Sequence, residues 1–119
     1  MRERAIALLL TIGFLAIPTL TNAQALGTVA GAVKDISGAV LPGVTVEAAS
    51  AALIEKVRTV VTDGAGQYRI ANLPPGNYTI TFTLPGFSTV KREGIQVSVN
   101  VTSNVDADLR VGAVEETSR

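Results

Sequence analysis

The chain has 119 residues, with ten Lys and Arg, ten Asp and Glu, and neither His nor Cys. Without those two residue types, zinc ligation by Cys or His, His-activated serine chemistry and thiol nucleophiles are excluded, and so is an internal disulfide. The charges balance and form no basic stripe, so a nucleic-acid partner is not expected. No metal or cofactor site is expected either, and stability has to come from packing and strand pairing.

The N-terminal segment has the layout of a secretory signal peptide. Two arginines precede an apolar run over residues 5–17, which ends at Pro18. Small residues at Ala23 and Ala25 suit the positions that a signal peptidase reads, so we predict a helical signal peptide over 1–25. Cleavage after Ala23 is the near alternative. An uncleaved anchor is disfavoured, because a membrane-spanning helix needs about 20 apolar residues.

The mature chain is expected to cross the inner membrane and to carry no membrane span of its own. Its eight Lys and Arg stand against nine Asp and Glu. The periplasm, the outer membrane and the medium remain open as destinations. Its length suffices for one domain and not for two, and we place that domain at 26–111, followed by a loose tail at 112–119.

Apolar residues recur at every second position after the signal peptide, as in strands with one buried face. The clearest case is 77–84, where four large apolar residues alternate with polar ones and fix the register. Six or seven segments show this pattern, and turns with Gly, Pro or Asp separate them. We predict seven antiparallel strands, at 28–34, 44–49, 57–62, 67–73, 77–84, 95–101 and 105–111. Residues 49–56 are predicted to form a loop.

The last two predicted strands place two sets of residues on buried faces. The first set is Ile95, Val97, Val99 and Val101, and the second is Val105, Ala107, Leu109 and Val111. With turns roughly every ten residues and no helical periodicity, the fold class is an all-β, antiparallel sandwich.

Several stretches carry a more specific signal: 27–35 (GTVAGAVKD), 37–46 (SGAVLPGVTV), 62–68 (TDGAGQY), 73–80 (LPPGNYTI) and 85–87 (PGF). In this order they resemble the carboxypeptidase regulatory-like domain family. The resemblance implies a seven-stranded, transthyretin-like (prealbumin-like) sandwich, also classed with carbohydrate-binding-like folds. It further implies an accessory module that stands beside other domains and is not itself a peptidase.

The tail over 106–116 (DADLRVGAVEE) resembles the junction that follows this module in TonB-dependent outer-membrane receptors. The chain has too few amphipathic strands for a receptor barrel, so it is expected to be a free-standing module or a fragment of a receptor. The expected function is a non-catalytic exported module that contacts a protein partner or a neighbouring domain. The alternative is a carbohydrate-binding module. A partner strand added to a sheet edge is a third mode of contact.

Phe87 is the one aromatic residue expected to be exposed, and it is therefore the candidate ligand contact for a glycan. The other candidates for a sugar-stacking platform, Tyr68, Tyr78 and Phe82, fall on the apolar faces of their strands. They are expected in the core, with the tyrosine hydroxyls bonded near the rim.

Acidic residues offer no convincing catalytic or metal site. Asp63 begins a Gly-rich segment, but a single carboxylate is too few for calcium and suits a hairpin turn instead. Asp106 and Asp108 lie on the polar face of a predicted strand, and Glu115 and Glu116 lie in the tail. Both pairs are expected to be solvated, so we predict that the chain is not an enzyme.

Overall fold

The computed structural model describes residues 25–112 and the backbone of 116–118, and within them every regular element is a strand. Apart from Ala25, the predicted signal peptide lies outside the described residues. The strands are β1 (Gly27–Asp35), β2 (Thr45–Ala49), β3 (Val57–Val61), β4 (Gln67–Leu73), β5 (Gly76–Thr83), β6 (Val90–Val97), β7 (Thr102–Asn104), β8 (Ala107–Leu109) and β9 (Glu116–Ser118). Among these residues no helix is long and apolar enough to cross a membrane.

The strands form two sheets, and the predicted β-sandwich is confirmed. One sheet has the order β4-β1-β7, with β8 also paired to β1, and the other has the order β3-β2-β5-β6-β9. The first five strands match their predicted positions to within one residue at each end. The alternation of side chains within them therefore decides which residues face the opposite sheet.

Three strand pairs are parallel, which differs from the predicted antiparallel arrangement. β7 and β8 both run parallel to β1, and β9 runs parallel to β6. The chain leaves β6 in one sheet and crosses to the other, where β7 enters beside β1 in the same direction. Hydrophobic alternation reports only which face is buried, so it carries no information about strand direction.

β7 and β8 are one run along β1 that is interrupted at Asp106. The Val105 N–H donates to the Ala30 carbonyl at 2.9 Å, and the Asp106 Oδ1 accepts from the Ala32 N–H at 2.8 Å. A side-chain carboxylate thus replaces one rung of the ladder. A Cβ on Gly31 would lie 2.1 Å from the Val105 carbonyl oxygen, so the close approach requires glycine here.

The sixth predicted strand, at 95–101, is wrong at both ends. β6 begins at Val90, inside a charged run that hides its alternation, and it ends at Val97. A register shift opposite Tyr78 and Ile80 interrupts the strand. Val99 and Val101 are exposed in the crossing between the sheets rather than buried on one face.

The tail also departs from the prediction of a loose segment. Residues Glu116–Ser118 form β9, which pairs with the first part of β6. The edge of β6 offers unpaired N–H and C=O groups, and any short extended segment that returns to it can satisfy them. Sequence alternation does not reveal such backbone pairing.

The core lies between the two sheets and contains the residues that the alternation predicts. The β5 residues Tyr78, Ile80 and Phe82 are buried, and they face residues such as Ile70 of the other sheet. The predicted loop is confirmed over residues 50–56, whereas Ala49 is the last residue of β2, and Leu53 of this loop is buried in the same core. This one apolar side chain anchors the loop against the sandwich.

Candidate functional site

Phe87, the predicted exposed ligand contact, is only half-exposed and packs against the core. Its N–H donates to the Leu84 carbonyl at 3.0 Å, and its backbone pairs with Val111. The expected exposure was wrong, because the turn after Leu84 folds the ring back onto the sandwich. A role for Phe87 in ligand binding stays a prediction.

The three aromatic residues predicted to be in the core are buried there. The Tyr68 and Phe82 rings meet edge to face with centroids 5.7 Å apart, which joins the two sheets. The Tyr68 hydroxyl donates to the Val105 carbonyl at 2.5 Å, and the Tyr78 hydroxyl donates to the Pro74 carbonyl at 2.7 Å. Burial raises the pKa of both hydroxyls. These rings cannot form a sugar-stacking platform.

Asp63 forms the turn that the sequence predicts. Its Oδ1 accepts hydrogen bonds from the N–H groups of Ala65 and Gln67, both at 2.9 Å. The carboxylate therefore satisfies the backbone of the turn that leads from β3 in one sheet to β4 in the other, so this turn is not the hairpin expected from the sequence. Over 25–112, no group of three or more acidic, His or Cys residues is arranged to hold a metal ion.

The two acidic pairs do not form an active site among the described residues. Asp106 is exposed, and its carboxylate is bonded to the Ala32 N–H, while Asp108 is exposed on β8. Glu115 lies outside the described residues, and Glu116 is described only by its backbone in β9. No nucleophile, base and orienting group converge at either position.

Two shallow depressions adjoin on the outside of the β4-β1-β7 sheet, with volumes of about 440 and 320 Å³. Ala30, Gln67 and Tyr68 border both of them. The larger one extends to Val60 and Val61 of β3, and the smaller one to Asn104 and Asp106. Their lining is mixed and includes small residues such as Ala30 and polar residues such as Gln67. The only ring that borders them, Tyr68, is buried in the core.

A second surface lies at the end of the sandwich where β1 and β8 finish, and it consists of Ile36, Val40, Phe87 and Val111. We call it the loop-end surface. Ile36 and Val111 are 63% and 81% exposed. The register brings its members together, because Asp35 pairs with Leu109 and Val111 pairs with Phe87.

Asp35 holds the loop that presents Ile36 on this surface. Its Oδ1 accepts hydrogen bonds from the Ser37 hydroxyl and the Ser37 N–H, at 2.5 and 2.8 Å, and from the Ala39 N–H at 3.1 Å. The Ser37 hydroxyl is the main cause of a pKa of Asp35 below its usual value. The turn therefore fixes an apolar side chain in solvent.

The sequence did not reveal the loop-end surface. Alternation placed Val111 on the buried face of the last strand, but the strand ends at Leu109 and Val111 is exposed. Ile36 lies between an Asp and a Ser in a turn, where no periodicity applies. The sequence signal that remains is one apolar residue, Ile36, at a turn position that normally favours polar residues.

Solved structures with similar folds come from several proteins with unrelated descriptions. The Bacillus anthracis TIE protein superposes with a TM-score of 0.60 at 20% identity, over 74% of this chain and 17% of that chain. The minor pilin GBS52 of Streptococcus agalactiae superposes with a TM-score of 0.55 at 16% identity, over 74% of this chain and 45% of that one. At these identities the similarity establishes the sandwich fold alone.

Sequence comparisons are more specific. The chain is 36% identical over 89 residues to the TonB-dependent transporter Oar of Myxococcus xanthus, which covers 75% of this chain and 8% of the transporter. The chain thus spans a small fraction of the length of that relative. Residues 28–110 match the family model described as the carboxypeptidase regulatory-like domain. With most of its length matched, the chain belongs to the carboxypeptidase regulatory-like domain family.

Proposed function

We propose that this chain is a non-catalytic, exported accessory domain that makes protein contacts as the N-terminal extension of a TonB-dependent outer-membrane transporter. The similarity to Oar carries the proposal, because three quarters of this chain aligns with a small fraction of that protein. This coverage is expected if the chain corresponds to one small domain of a much larger transporter. The predicted signal peptide over 1–25 supports passage through the inner membrane.

The arrangement of polar groups supports a role other than catalysis. The chain has no His or Cys, and the acidic side chains described above either bond backbone N–H groups or lie apart in solvent. The tyrosine hydroxyls are buried and donate to carbonyl groups, and burial raises their pKa. Neither tyrosine hydroxyl is therefore poised as a general base near neutral pH.

We further propose that the loop-end surface is where the neighbouring domain binds. Exposed apolar side chains that the fold holds in place favour burial against another protein. Ile36 is fixed by the Asp35 turn, and Val111 is fixed by its backbone pairing with Phe87. Both residues therefore present apolar groups without a large entropic cost on binding.

Glycan binding has weaker support among the described residues. The depressions on the β4-β1-β7 sheet carry polar groups, but the ring that borders them is buried. A sugar face normally packs on an exposed aromatic ring. Phe87, half-exposed at the loop-end surface, is the remaining candidate, and titration of Phe87→Ala with oligosaccharides tests it.

Fractionation of the native cell envelope tests the transporter proposal. An antiserum against the purified chain is used to determine the mass and location of the natural product. A large product in the outer membrane is expected. A product with the mass of the processed chain alone, found in the soluble periplasm, would contradict the transporter proposal and favour a free-standing module.

Hydrogen exchange on that natural product tests the loop-end surface. Amides near Ile36 and Val111 should exchange more slowly in the whole protein than in the isolated chain. Ile36→Asp together with Val111→Asp should remove this protection. Val101→Asp is the matched control, because Val101 is an exposed valine at the opposite end of the sandwich. Equal exchange in the whole protein and the isolated chain would rule out this contact.

A further inference from the structure

β3 is the outer strand of the five-stranded sheet, and it pairs with β2 on one side only. The Thr62 N–H donates to the Val44 carbonyl at 2.9 Å beyond one end of β3, and the Ser50 N–H donates to the Lys56 carbonyl at 3.1 Å beyond the other. Bonded pairs alternate with non-bonded pairs in an antiparallel ladder. The even-numbered residues of β3 therefore bond to β2, and the odd-numbered ones direct their N–H and C=O groups away from it.

The odd-numbered residues of β3 are Val57, Thr59 and Val61, and together they form what we call the β3 edge. The two valines are 41% and 58% exposed, and Thr59 is also exposed. Natural sheets usually protect such edges with lysine, proline or a bulge. The β3 edge has uncharged side chains and no proline, and the β2–β3 ladder runs without a register shift. It is a straight, β-branched edge that is open to another strand.

We propose that the β3 edge pairs antiparallel with the β3 edge of a second copy of this chain, about a twofold axis at Thr59. In this register Thr59 lies opposite Thr59 of the second copy, and Val57 lies opposite Val61. Every outward N–H and C=O group of the three residues then has a partner. The two five-stranded sheets join into one continuous sheet, as a symmetric interface requires.

The charges of β3 favour this register over its neighbours. Within β3, Arg58 lies opposite Val60 of the second copy, so no like charges face each other along the five paired residues. An axis at Arg58 would place two guanidinium groups in direct opposition, which destabilises a strand pair. An axis at Val60 would carry Val57 beyond the end of the opposing strand. The Thr59 axis alone pairs all five residues of β3 with all five of its copy.

The side chain of Arg58 is held within its own copy and leaves the β3 edge accessible. Its guanidinium donates to the Ala71 and Asn72 carbonyls at 2.9 and 3.0 Å and to the Glu55 carboxylate at 3.0 and 3.2 Å. These bonds lie across the gap to β4, on the inner side of the strand. The second copy therefore meets the ordered stem of Arg58 rather than a mobile charge.

The interface formed by one strand pair is small, so the dimer is expected to be weak. Stable specific interfaces bury about 1,200 Å² or more in total, and five residues from each copy contribute less. The equilibrium should therefore depend on concentration, with monomer dominant in dilute solution. This association does not depend on whether the chain is part of a transporter, and failure of either proposal leaves the other intact.

Sedimentation equilibrium of the full chain over a wide concentration range tests the dimer. The wild type should show a reversible monomer–dimer equilibrium. Thr59→Pro removes an N–H that has no partner among the described residues of its own copy, so the fold should tolerate it while the dimer is lost. Thr59→Ala keeps that N–H and should keep the dimer. Circular dichroism of both variants checks that the sandwich is retained.

Disulfide trapping tests the register, and the absence of native cysteine makes it unambiguous. Thr59→Cys should form a covalent dimer under mild oxidation, because opposed residues at a strand pair lie within disulfide reach. Thr83→Cys is the matched control, since Thr83 is also exposed but lies on β5, inside the sheet. It should remain monomeric. A wild type that is monomeric at every concentration, or trapping no faster at Thr59 than at Thr83, would overturn the proposal. Disulfides formed by Thr59→Cys only with other proteins, and not with a second copy of the chain, would also overturn the proposal.

Discussion

β3 and β4 are neighbouring edge strands from different sheets, and they differ in how many of their outward backbone groups are bonded by side chains. On β4, the Gln67 N–H bonds to the Asp63 carboxylate and the Ala71 carbonyl accepts from Arg58. On β3, no side chain within residues 25–112 bonds to the outward backbone groups of Val57, Thr59 and Val61. The difference shows that an edge is protected by local polar side chains, and that a strand without them remains available for pairing.

The largest loss of unfolding free energy is expected from a substitution in the core behind both edges. Phe82 packs against Tyr68 of β4 and lies on β5, which supports β2 and thereby β3. We expect Phe82→Ala to lower the free energy of unfolding by about 3–5 kcal/mol, because a buried aromatic side chain is replaced by a cavity. Urea denaturation followed by circular dichroism measures the loss. A change below about 1 kcal/mol would mean that the contact between the sheets is weaker than the structure indicates.

Substitution of Arg58 should leave carbonyl groups at the β4 edge without a partner, as the outward groups of β3 already are. Arg58→Met keeps the aliphatic stem but leaves the Ala71 and Asn72 carbonyls without the guanidinium. The expected loss of unfolding free energy is about 1–2 kcal/mol, reduced from the value for a buried bond because Arg58 is partly exposed.

Glu55→Gln is the matched control for Arg58→Met. It removes only the exposed ion pair with Arg58, whose nitrogen and oxygen are 3.0 Å apart. Exposed pairs of this kind contribute little to stability, because water and salt screen them. If the two variants lose the same stability, the bonds to the β4 carbonyls contribute nothing measurable.

Substitution of Asp63 should leave the N–H at the beginning of β4 without its acceptor and cause a smaller loss of stability. Asp63→Ala removes the acceptor for the Ala65 and Gln67 N–H groups, and we expect a loss of about 1 kcal/mol. Amide exchange at Gln67 should also become faster. Asp108→Ala, an exposed carboxylate on β8, serves as the comparison and should leave that amide unchanged. Unaltered exchange at Gln67 in Asp63→Ala would contradict protection by the carboxylate.

The last effect concerns Tyr68 of β4, and its pH-dependent part appears only in alkali. Burial raises the pKa of this hydroxyl in the folded state, whereas an unfolded tyrosine titrates near about 10. The folded state therefore holds its proton after the unfolded state has lost it. Its contribution is complete below pH about 10 and is lost as the pH rises further.

Tyr68→Phe should therefore show a shallower loss of unfolding free energy above pH about 10. At neutral pH it should lose about 1 kcal/mol, from the hydrogen bond to the Val105 carbonyl. Denaturation curves at several pH values measure both effects. A slope that is identical in the wild type and Tyr68→Phe would show that another group controls the alkaline transition.

Strand positions up to β5 and most of the core follow from local rules. The alternation over 77–84 places Tyr78, Ile80 and Phe82 inward, and the structure buries all three. The predicted turn at Asp63 has the hydrogen bonds expected of that residue type. These features depend on residues close in sequence, where strand period and turn chemistry act directly.

The candidate surfaces were predicted less well, because they depend on where strands end and what returns to cover them. Phe87 is half-buried because the turn after Leu84 folds it back onto the core, and Val111 is exposed because β8 stops at Leu109. The Ala71 carbonyl of β4 has a partner because the Arg58 side chain extends from β3 to reach it. None of these contacts has a periodic signature.

The family, the β-sandwich class, the inward face of the early strands and the absence of His and Cys chemistry all follow from the sequence. The parallel pairing of β7 and β8 with β1, the return of β9 to β6, and the edges and apolar side chains that stay open are visible only in the folded chain. Side-chain alternation encodes burial, whereas backbone hydrogen bonds between distant segments carry no residue code. Only the assembled sheets determine which of those backbone groups still lack a partner.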